Sequence, residues 1–442
     1  MVDECSELTG EEKRQKRFDQ WLSPENVCFR STEAEKLYKE RVTRLINALL
    51  IKEPDRVPVS LPSVAFPAYY AGATFHSILY DYNELRRSWI KFMNDFELDI
   101  WNSPRGIPGK AYELMDYKLY KWPGHGLPVD ADTFQFIESE YMKSDEYDAL
   151  IRDPSDFMTR VMMPRIFGSF ESYRNLKPST SIYELPTDYF IPFTRPDVRT
   201  SIKSLLDIGT DLSKWMEAVG ECNRLAKESG IPSMGGGTAR APFDRIGDTL
   251  RGTKGIILDM YRNPEKLLEA LDVIADVTIQ EAISAVNTSG GIMVGFPLHK
   301  GADEFMSNNE FEKFYWPTLR KIIVALADEG IMTSLFAEGT YNNRLDIVKD
   351  IPKGWVLWRF EQTDMAMAKK ALGNISCISG NVPPSLLYIG TPKEIKDYCR
   401  ELIEVCADGG GYMLAGAAGA NNINPDNLRA MTEAVKEYGL YK

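Results

Sequence analysis

Apolar runs alternate with amphipathic stretches through the second half of this chain. Such near-continuous apolar runs are typical of strands that are buried on both faces of a parallel sheet. Five runs in the second half have this pattern: Gly291–Leu298, Ile331–Glu338, Gly354–Glu361, Ile375–Val382 and Gly409–Gly416. Three earlier stretches resemble them: Arg56–Leu61, Leu98–Ser103 and Ile231–Gly237. The pattern therefore predicts about eight strands.

Helix start signals lie between these runs. Ser307 with Glu310, and Thr391 with Glu394, have the spacing of capping boxes. Strands that alternate with helices predict an α/β fold, and eight of them predict a (β/α)8 TIM-type barrel. A doubly wound sheet is the alternative, although no GxGxxG motif follows the first strand.

Two segments fall outside the alternation. Residues 1–48 are helical in pattern and charged, which predicts an N-terminal extension to a single barrel domain over residues 49–442. Residues 104–228 interrupt the rhythm after the second strand and are rich in Pro, Tyr, Phe and Arg. An insertion at the carboxyl end of a barrel strand lies on the face that carries active sites, so we expect a lid or substrate wall.

Composition narrows the class of partner. The 442 residues carry a net charge of −12, which argues against nucleic acid or an anionic membrane as the main partner. No apolar run approaches the roughly 20 residues that span a bilayer, and the first residues are too polar for a secretory signal. The six cysteines lack CxxC spacing, which indicates reduced thiols. We expect a cytoplasmic protein.

Polar residues at the carboxyl ends of the predicted strands are the candidates for chemistry. They are Asn102, Arg105, His299, Asp303, Glu338, Glu361 and Asn381. Carboxylates and a histidine on neighbouring strand ends can form an acid–base set or a metal site. The alternatives are structural: Glu338 paired with Arg344 or Arg359, His299 in a structural role, and Glu361 and Asp303 as caps or braces.

The insertion adds aromatic candidates. His125 lies between two glycines, and Trp122 and Tyr112 belong to an aromatic-rich stretch. These residues favour contact with a flat apolar substrate or a large planar cofactor. Core packing is the alternative for at least half of these aromatics, and a turn role is the alternative for His125.

The last third of the chain resembles a known superfamily. The stretch LGNISCISGNVPPSLLYIGTPKEIKDYCRELIEVC, followed by GGYMLAGAAGANNINPDNLRAMTEAVKEYG, is similar to the uroporphyrinogen decarboxylases, as are RVTRLINALLIKEPDRVPV and FMSNNEFEKFYWPTLRKI. The resemblance covers about residues 40–100 and 230–442 and implies a TIM-type barrel that is often a homodimer. The decarboxylases themselves carry an arginine segment after the first strand and an Asp after the second. In this chain the segment after the first predicted strand has no arginine, and Asn102 stands where the decarboxylases have the Asp after the second strand.

The corrinoid-dependent methyltransferases form another branch of this superfamily. Coenzyme M members have His-x-Cys at the fifth strand end and a later Cys, which together bind zinc. Here Phe336-Ala337-Glu338 and Ala415-Gly416-Ala417 stand at these places, so both sulfur ligands are missing. With the acid Glu338 in place of a sulfur ligand, the chain resembles the methoxyaryl O-demethylase methyltransferases.

That resemblance implies transfer of a methyl group from a methoxylated aromatic to Co(I) of cobalamin on a partner corrinoid protein. The leaving phenolate would be stabilised by Glu338 as an acid, or by a hard Lewis acid. His299 and Glu338, with Glu361 or Asp303, would hold that ion, and zinc stays open. Asn381, Asn102 and Arg105, with Tyr112, Trp122 and His125 of the insertion, would orient the substrate.

Three other functions stay open. The first alternative is methyl transfer in the same barrel from a different methyl donor, such as a methylamine, a thioether or a halide. The second is a cofactor-free decarboxylase of a small aromatic acid. In the third, a non-catalytic barrel binds a tetrapyrrole or corrinoid.

Overall fold

The apolar runs of the second half form one parallel sheet. The computed structural model describes residues 8–183, 185–416 and 421–441. Its strands are β1 (Val59–Ser60), β2 (Tyr120–Pro123), β3 (Gly126–Leu127), β4 (Gln135–Phe136), β5 (Gly235–Thr238), β6 (Met293–Leu298), β7 (Met332–Ala337), β8 (Val356–Phe360), β9 (Cys377–Val382) and β10 (Tyr412–Gly416). Among the described residues the large sheet has seven parallel strands in the order β1-β10-β9-β8-β7-β6-β5. This is the predicted TIM-type arrangement.

The stretch Leu98–Ser103 forms no strand, and the prediction of a strand there is wrong. It lies between the two ends of the sheet, where Trp101 donates its backbone N–H to Pro232 O at 2.8 Å. The Asp99 carboxylate accepts the backbone N–H of Val59 at 3.0 Å. The Asp99 side chain thereby accepts a backbone N–H that would otherwise pair with a neighbouring strand. The sheet therefore curves round, but this segment does not close it as a strand.

Helices surround the sheet. Those before and within the insertion are α1 (Gly10–Leu22), α2 (Thr32–Leu49), α3 (Phe66–Tyr70), α4 (Phe75–Tyr80), α5 (Tyr82–Asp95), α6 (Gly109–Met115), α7 (Tyr147–Arg152), α8 (Pro154–Phe157), α9 (Met163–Ile166), α10 (Pro186–Phe190) and α11 (Pro196–Glu228). Those that follow are α12 (Pro242–Thr249), α13 (Gly252–Arg262), α14 (Pro264–Ser289), α15 (Asn308–Glu310), α16 (Trp316–Asp328), α17 (Met365–Leu372), α18 (Pro384–Ile389), α19 (Pro392–Cys406) and α20 (Pro425–Glu437). Both predicted capping boxes form, at the starts of α15 and α19.

The N-terminal helices cover the amino end of the barrel. Phe18 and Trp21 of α1, with Val42 of α2, share a buried cluster with Met293 and Met332, the first residues of β6 and β7. A second contact is polar, since Arg14 donates to Gly354 O at 2.7 Å. This packing leaves the carboxyl end of the barrel for other groups.

The insertion builds its own small structure. It contains the three-stranded sheet β3-β2-β4, short 3-10 helices and the long helix α11, which returns the chain to β5. Ala111, Phe170, Tyr173 and Ile208 form a separate buried cluster within it.

Residues 417–420, the end of the Ala-Gly run after β10 that includes Ala417, lie outside the described residues. In the part of the chain that is described, no helix is long and apolar enough to cross a membrane.

Candidate active site

Strand register brings three of the predicted residues to one level. Leu298 pairs with Ala337, and Ala337 pairs with Phe360. The residues that follow these are His299, Glu338 and Glu361. They lie side by side because the carboxyl ends of parallel strands meet at one edge of the sheet. His299 Nε2 lies 3.6 Å from Glu338 Oε1.

Two aspartates of helix α12 hold His299 in its orientation. His299 Nδ1 lies 2.6 Å from Asp248 Oδ2, and the Asp244 carboxylate accepts the backbone N–H groups of His299 and Lys300 at 3.0 and 2.9 Å. Asp244 and Asp248 are four residues apart, so both lie on one face of the helix. With Nδ1 donating to Asp248, the Nε2 atom of His299 is directed at Glu338.

The cluster holds charge in a confined space. The Asp248 carboxylate, only 6% exposed, also contacts Arg240 at 2.8 Å and Lys300 at 3.2 Å. Burial alone would raise the pKa of Asp248, but its hydrogen bond to His299 and the neighbouring cations bring that pKa below its usual value. Burial and the charge of Asp248 raise the pKa of Asp244 to about 6.

The surroundings of His299 and Glu338 shift the pKa values of both side chains. Burial would lower the pKa of His299, but the hydrogen bond and charge of Asp248, with Asp244 and Glu338 adding, raise it overall. Burial raises the pKa of Glu338; the charge of His299 opposes this and the charge of Glu361 adds to it. Both pKa values are thus raised, so the site favours the protonated form of each side chain more than water does. Such a pair can donate a proton to an oxygen placed between or above it.

The structural alternatives for Glu338 do not occur. Arg344 instead contacts Asp303 at 3.5 Å and donates to backbone carbonyls. Arg359 makes no ion pair with a described residue; its guanidinium stacks over Phe336 at 5.2 Å from the ring centroid.

The predicted metal ligands are not gathered around one point. Asp303 accepts the N–H of Asn343 at 2.9 Å, and Glu361 accepts the N–H of Gly339 at 3.0 Å. Within the described ranges, no three His, Cys, Asp or Glu side chains are placed to hold a metal ion. Since a zinc centre takes at least three protein ligands, His299 and Glu338 alone do not fit it, and we assign no step to a metal.

Asn381 serves the neighbouring loop. Its side-chain amide donates to the carbonyl oxygens of Glu361 at 3.3 Å and Thr363 at 2.9 Å. The residue thus braces the segment after β8 that carries Glu361, two strands away from His299, which follows β6.

A cavity of about 450 Å³ lies inside the barrel beneath this level. Asn102, Arg105, Gly235–Gly237, Ser334 and Arg359 contribute to its wall, and Trp101 and Met234 make part of it apolar. A recess of about 70 Å³ that shares Asn102, Arg105 and Arg359 adjoins the loop after β1. The structure therefore places two of the predicted substrate-binding residues in a cavity that is sized for a small molecule.

The aromatic candidates of the insertion cluster elsewhere. Trp122 has no exposed surface, stacks on His125 with ring centroids 4.1 Å apart, and contacts Tyr112 at 5.7 Å. Its indole N–H donates to the hydroxyl of Tyr80 at 2.9 Å. The structure does not bring these three residues to the described walls of the barrel cavity.

Three residues of the site were not predicted. Asp244 and Asp248 were signalled only by their four-residue spacing within a short amphipathic helix. Arg359 was considered only as an ion-pair partner, although a lone cation inside the apolar strand VLWRF marks an inward position.

A parallel barrel with a polar cluster at its carboxyl edge defines a TIM-type α/β protein. The model of the uroporphyrinogen decarboxylase (URO-D) family matches residues 191–438. This match covers more than half of the chain, and the chain belongs to the URO-D family.

Individual relatives are distant. The uroporphyrinogen decarboxylase of Chlorobaculum tepidum is 26% identical over 189 residues, which cover 40% of this chain and 51% of the relative. That of Magnetococcus marinus is 24% identical over 278 residues, 56% of this chain and 72% of the relative. The chain thus spans about half the length of most curated relatives it matches.

A solved structure extends the match to nearly the whole fold. A methyltransferase from Methanosarcina mazei superposes with a TM-score of 0.58 at 18% identity, covering 91% of this chain and 98% of the other. At this identity the match shows a shared fold.

Proposed function

We propose that this protein is a methyltransferase that removes the methyl group from a methoxylated aromatic and passes it to a corrinoid on a partner protein. The observation that carries the proposal is the His299–Glu338 pair, 3.6 Å apart at the barrel edge and oriented by Asp248. A proton source placed there suits the departure of an aryl oxygen.

The chemistry needs such a source. The bond between methyl carbon and ether oxygen breaks, and its electron pair stays on the oxygen. A phenolate is a poor leaving group, because a phenol such as tyrosine has an ordinary pKa of about 10. The Nε2–H of His299 can neutralise the developing charge, and general acid catalysis of this kind contributes about 10²- to 10⁴-fold in rate. The acceptor corrinoid, a co-substrate here, supplies the nucleophile.

The arrangement also fits two partners at once. The aromatic ring lies in the cavity, whose volume is about 450 Å³ and whose wall includes Trp101 and Met234. The ether oxygen then points outward at His299 and Glu338, whose side chains are 28% and 41% exposed. A second protein can reach the methyl group from this open face. The name of the Methanosarcina mazei structure supports methyl transfer, and the proposal extends it to this chain.

The test is an anaerobic assay with the purified protein, reduced cobalamin and a panel of methoxylated aromatics. Absorbance reports the conversion of Co(I) to methyl-Co(III), and chromatography reports the phenol. We expect both products in equal amounts, and a loss of about 10²- to 10⁴-fold in His299→Gln. Glu338→Gln should also be slower. Glu312→Gln, which changes an exposed carboxylate on the next helix, is the matched control and should keep full activity.

Other outcomes would select other functions. Release of CO2 from an aromatic acid without any corrinoid would replace the proposal with decarboxylation, the activity for which the curated relatives are named. Cobalt methylation from an amine, thioether or halide, but from no ether, would keep methyl transfer and refute the aryl donor. Ligand binding without turnover would favour a non-catalytic barrel.

A further inference from the structure

Arg359 is a partly buried cation that has no ion-pair partner among the described residues. It lies on β8 between Phe336 of β7 and Ser379 of β9 in the strand register. Apart from stacking on Phe336, it makes no hydrogen bond or ion pair with any described residue. Burial, with the charge of Arg105 adding, lowers the pKa of Arg359 to about 10. Leaving a buried charge unpaired is unfavourable, so the position calls for an explanation.

Arg105 brings a second cation to the same place. It borders the cavity and the recess together with Arg359; its side chain is exposed, and desolvation by the surrounding protein lowers its pKa. The described walls of both spaces contain no Asp or Glu. The cavity is therefore positive in a chain whose 64 acidic residues outnumber its 52 basic ones.

Three of the buried arginines of this protein are paired with acids, whereas buried Arg41 donates to the backbone oxygen of Gly230. Arg44 and Arg56 share the carboxylate of Asp99 at 2.8 and 2.7 Å. Arg251 contacts Asp259 at 2.5 Å. At these three positions the fold supplies an acid to the arginine, and among the described residues it supplies none to Arg359.

We propose that Arg359 and Arg105 form a carboxylate-binding subsite, so that the substrate is an aromatic acid held by its carboxylate at the wall of the barrel cavity. A guanidinium binds a carboxylate through two parallel hydrogen bonds, which gives orientation as well as affinity. The side chains of Asn102 and Ser334, in the same wall, are further hydrogen-bonding groups. The identity of the acid as a methoxylated one rests on the proposed function; the subsite itself does not.

The depth of the subsite fits the level of His299 and Glu338. Arg359 lies on β8 two residues before Glu361, the residue that follows the strand, and two residues correspond to about 6.6 Å of extended chain. Arg359 lines the cavity, so the arginine lies below the level of the barrel edge. A benzoate with its carboxylate at the arginines would present a substituent on the opposite side of the ring to the barrel edge.

Binding can be measured apart from turnover. Isothermal titration with 4-methoxybenzoate, and with methoxybenzene as the neutral probe, uses the protein alone. We expect Arg359→Gln and Arg105→Gln to bind 4-methoxybenzoate on the order of 10- to 100-fold more weakly. Binding of methoxybenzene should be unchanged. Arg199→Gln, an exposed arginine of the insertion, is the matched control and should bind both as the unmodified protein does.

A second readout tests whether Arg359 is truly unpaired. Arg359→Met removes the unpaired, partly buried charge while keeping an unbranched apolar chain, so the ligand-free protein should unfold at a higher temperature. A lower unfolding temperature would mean that the arginine has an internal partner, and the subsite would be refuted. Equal affinity for both probes, or tighter binding of inorganic phosphate than of benzoate, would also overturn it.

The two proposals fail in different ways. If 4-methoxybenzoate binds through the arginines but no cobalt is methylated, the subsite stands and the demethylase does not. If neutral and acidic ethers are demethylated equally by Arg359→Gln and the unmodified protein, the demethylase stands and the subsite falls.

Discussion

Replacing Asp248 with Asn should shift the protonation of His299. The substitution keeps the shape and one oxygen of the side chain but removes the negative charge that His299, Arg240 and Lys300 share at 2.6, 2.8 and 3.2 Å. A hydrogen bond to a charged group contributes about 1.5–3 kcal/mol and a neutral one about 0.5–1.5 kcal/mol. The imidazolium form of His299 should therefore lose roughly 1–1.5 kcal/mol of stabilisation.

The sign follows from the wild-type site. The pKa of His299 is raised because the hydrogen bond and charge of Asp248 outweigh burial. Without that charge the pKa of His299 falls, so the imidazole deprotonates at lower pH. If His299 is the proton donor, the rate of methyl transfer should fall off at lower pH in Asp248→Asn than in the unmodified protein.

Nitrogen NMR of histidine-labelled protein measures this directly. The chain has three histidines, so the signals can be separated and His299 assigned with the His299→Gln variant. His76 and His125 serve as internal controls in the same spectra. Asp303→Asn is the matched variant, since Asp303 contacts Arg344 and Asn343 instead. If His299 titrates at the same or a higher pH in Asp248→Asn, the reasoning is refuted.

Two further predictions concern stability, both measured by urea denaturation. Asp99→Asn should lower the free energy of unfolding by about 3–5 kcal/mol, because it leaves the buried guanidinium of Arg56 without a carboxylate and Arg44 with Asp55 alone. Asp55→Asn, whose carboxylate is 57% exposed, should cost at most about 1 kcal/mol, and equal losses would contradict the role of burial. Gly291→Ala should cost about 1–3 kcal/mol or more, since its Cβ would lie 2.3 Å from Gly236 Cα. Gly209→Ala on α11, where a Cβ meets open space, should be neutral or stabilising by up to about 1 kcal/mol, and similar losses at both would refute the clash.

Much of the barrel could be read from the chain. Apolar runs predict strands because a parallel sheet buries both faces of each strand, and this holds for β6 to β10. The same patterns put His299 and Glu338 on neighbouring strand ends, where the structure finds them 3.6 Å apart. A run of apolar residues is a local property of the chain, so the sequence shows it directly.

Local pattern failed where distant groups decide the outcome. Leu98–Ser103 has the composition of a strand, but the carboxylate of Asp99 takes the Val59 N–H and the ladder does not form. Trp122 belongs to an aromatic-rich stretch that predicted a substrate contact, but packing inside the insertion leaves it with no exposed surface. Neither result is visible in the flanking residues.

The sequence by itself determined the succession of strands and helices and the acid and histidine at the barrel edge. Only the tertiary structure decided what surrounds them. Asp248 reaches His299 across 51 residues, and Arg105 meets Arg359 from another part of the chain. Charge pairing acts through space and depends on burial, whereas a sequence pattern reports only spacing along the chain.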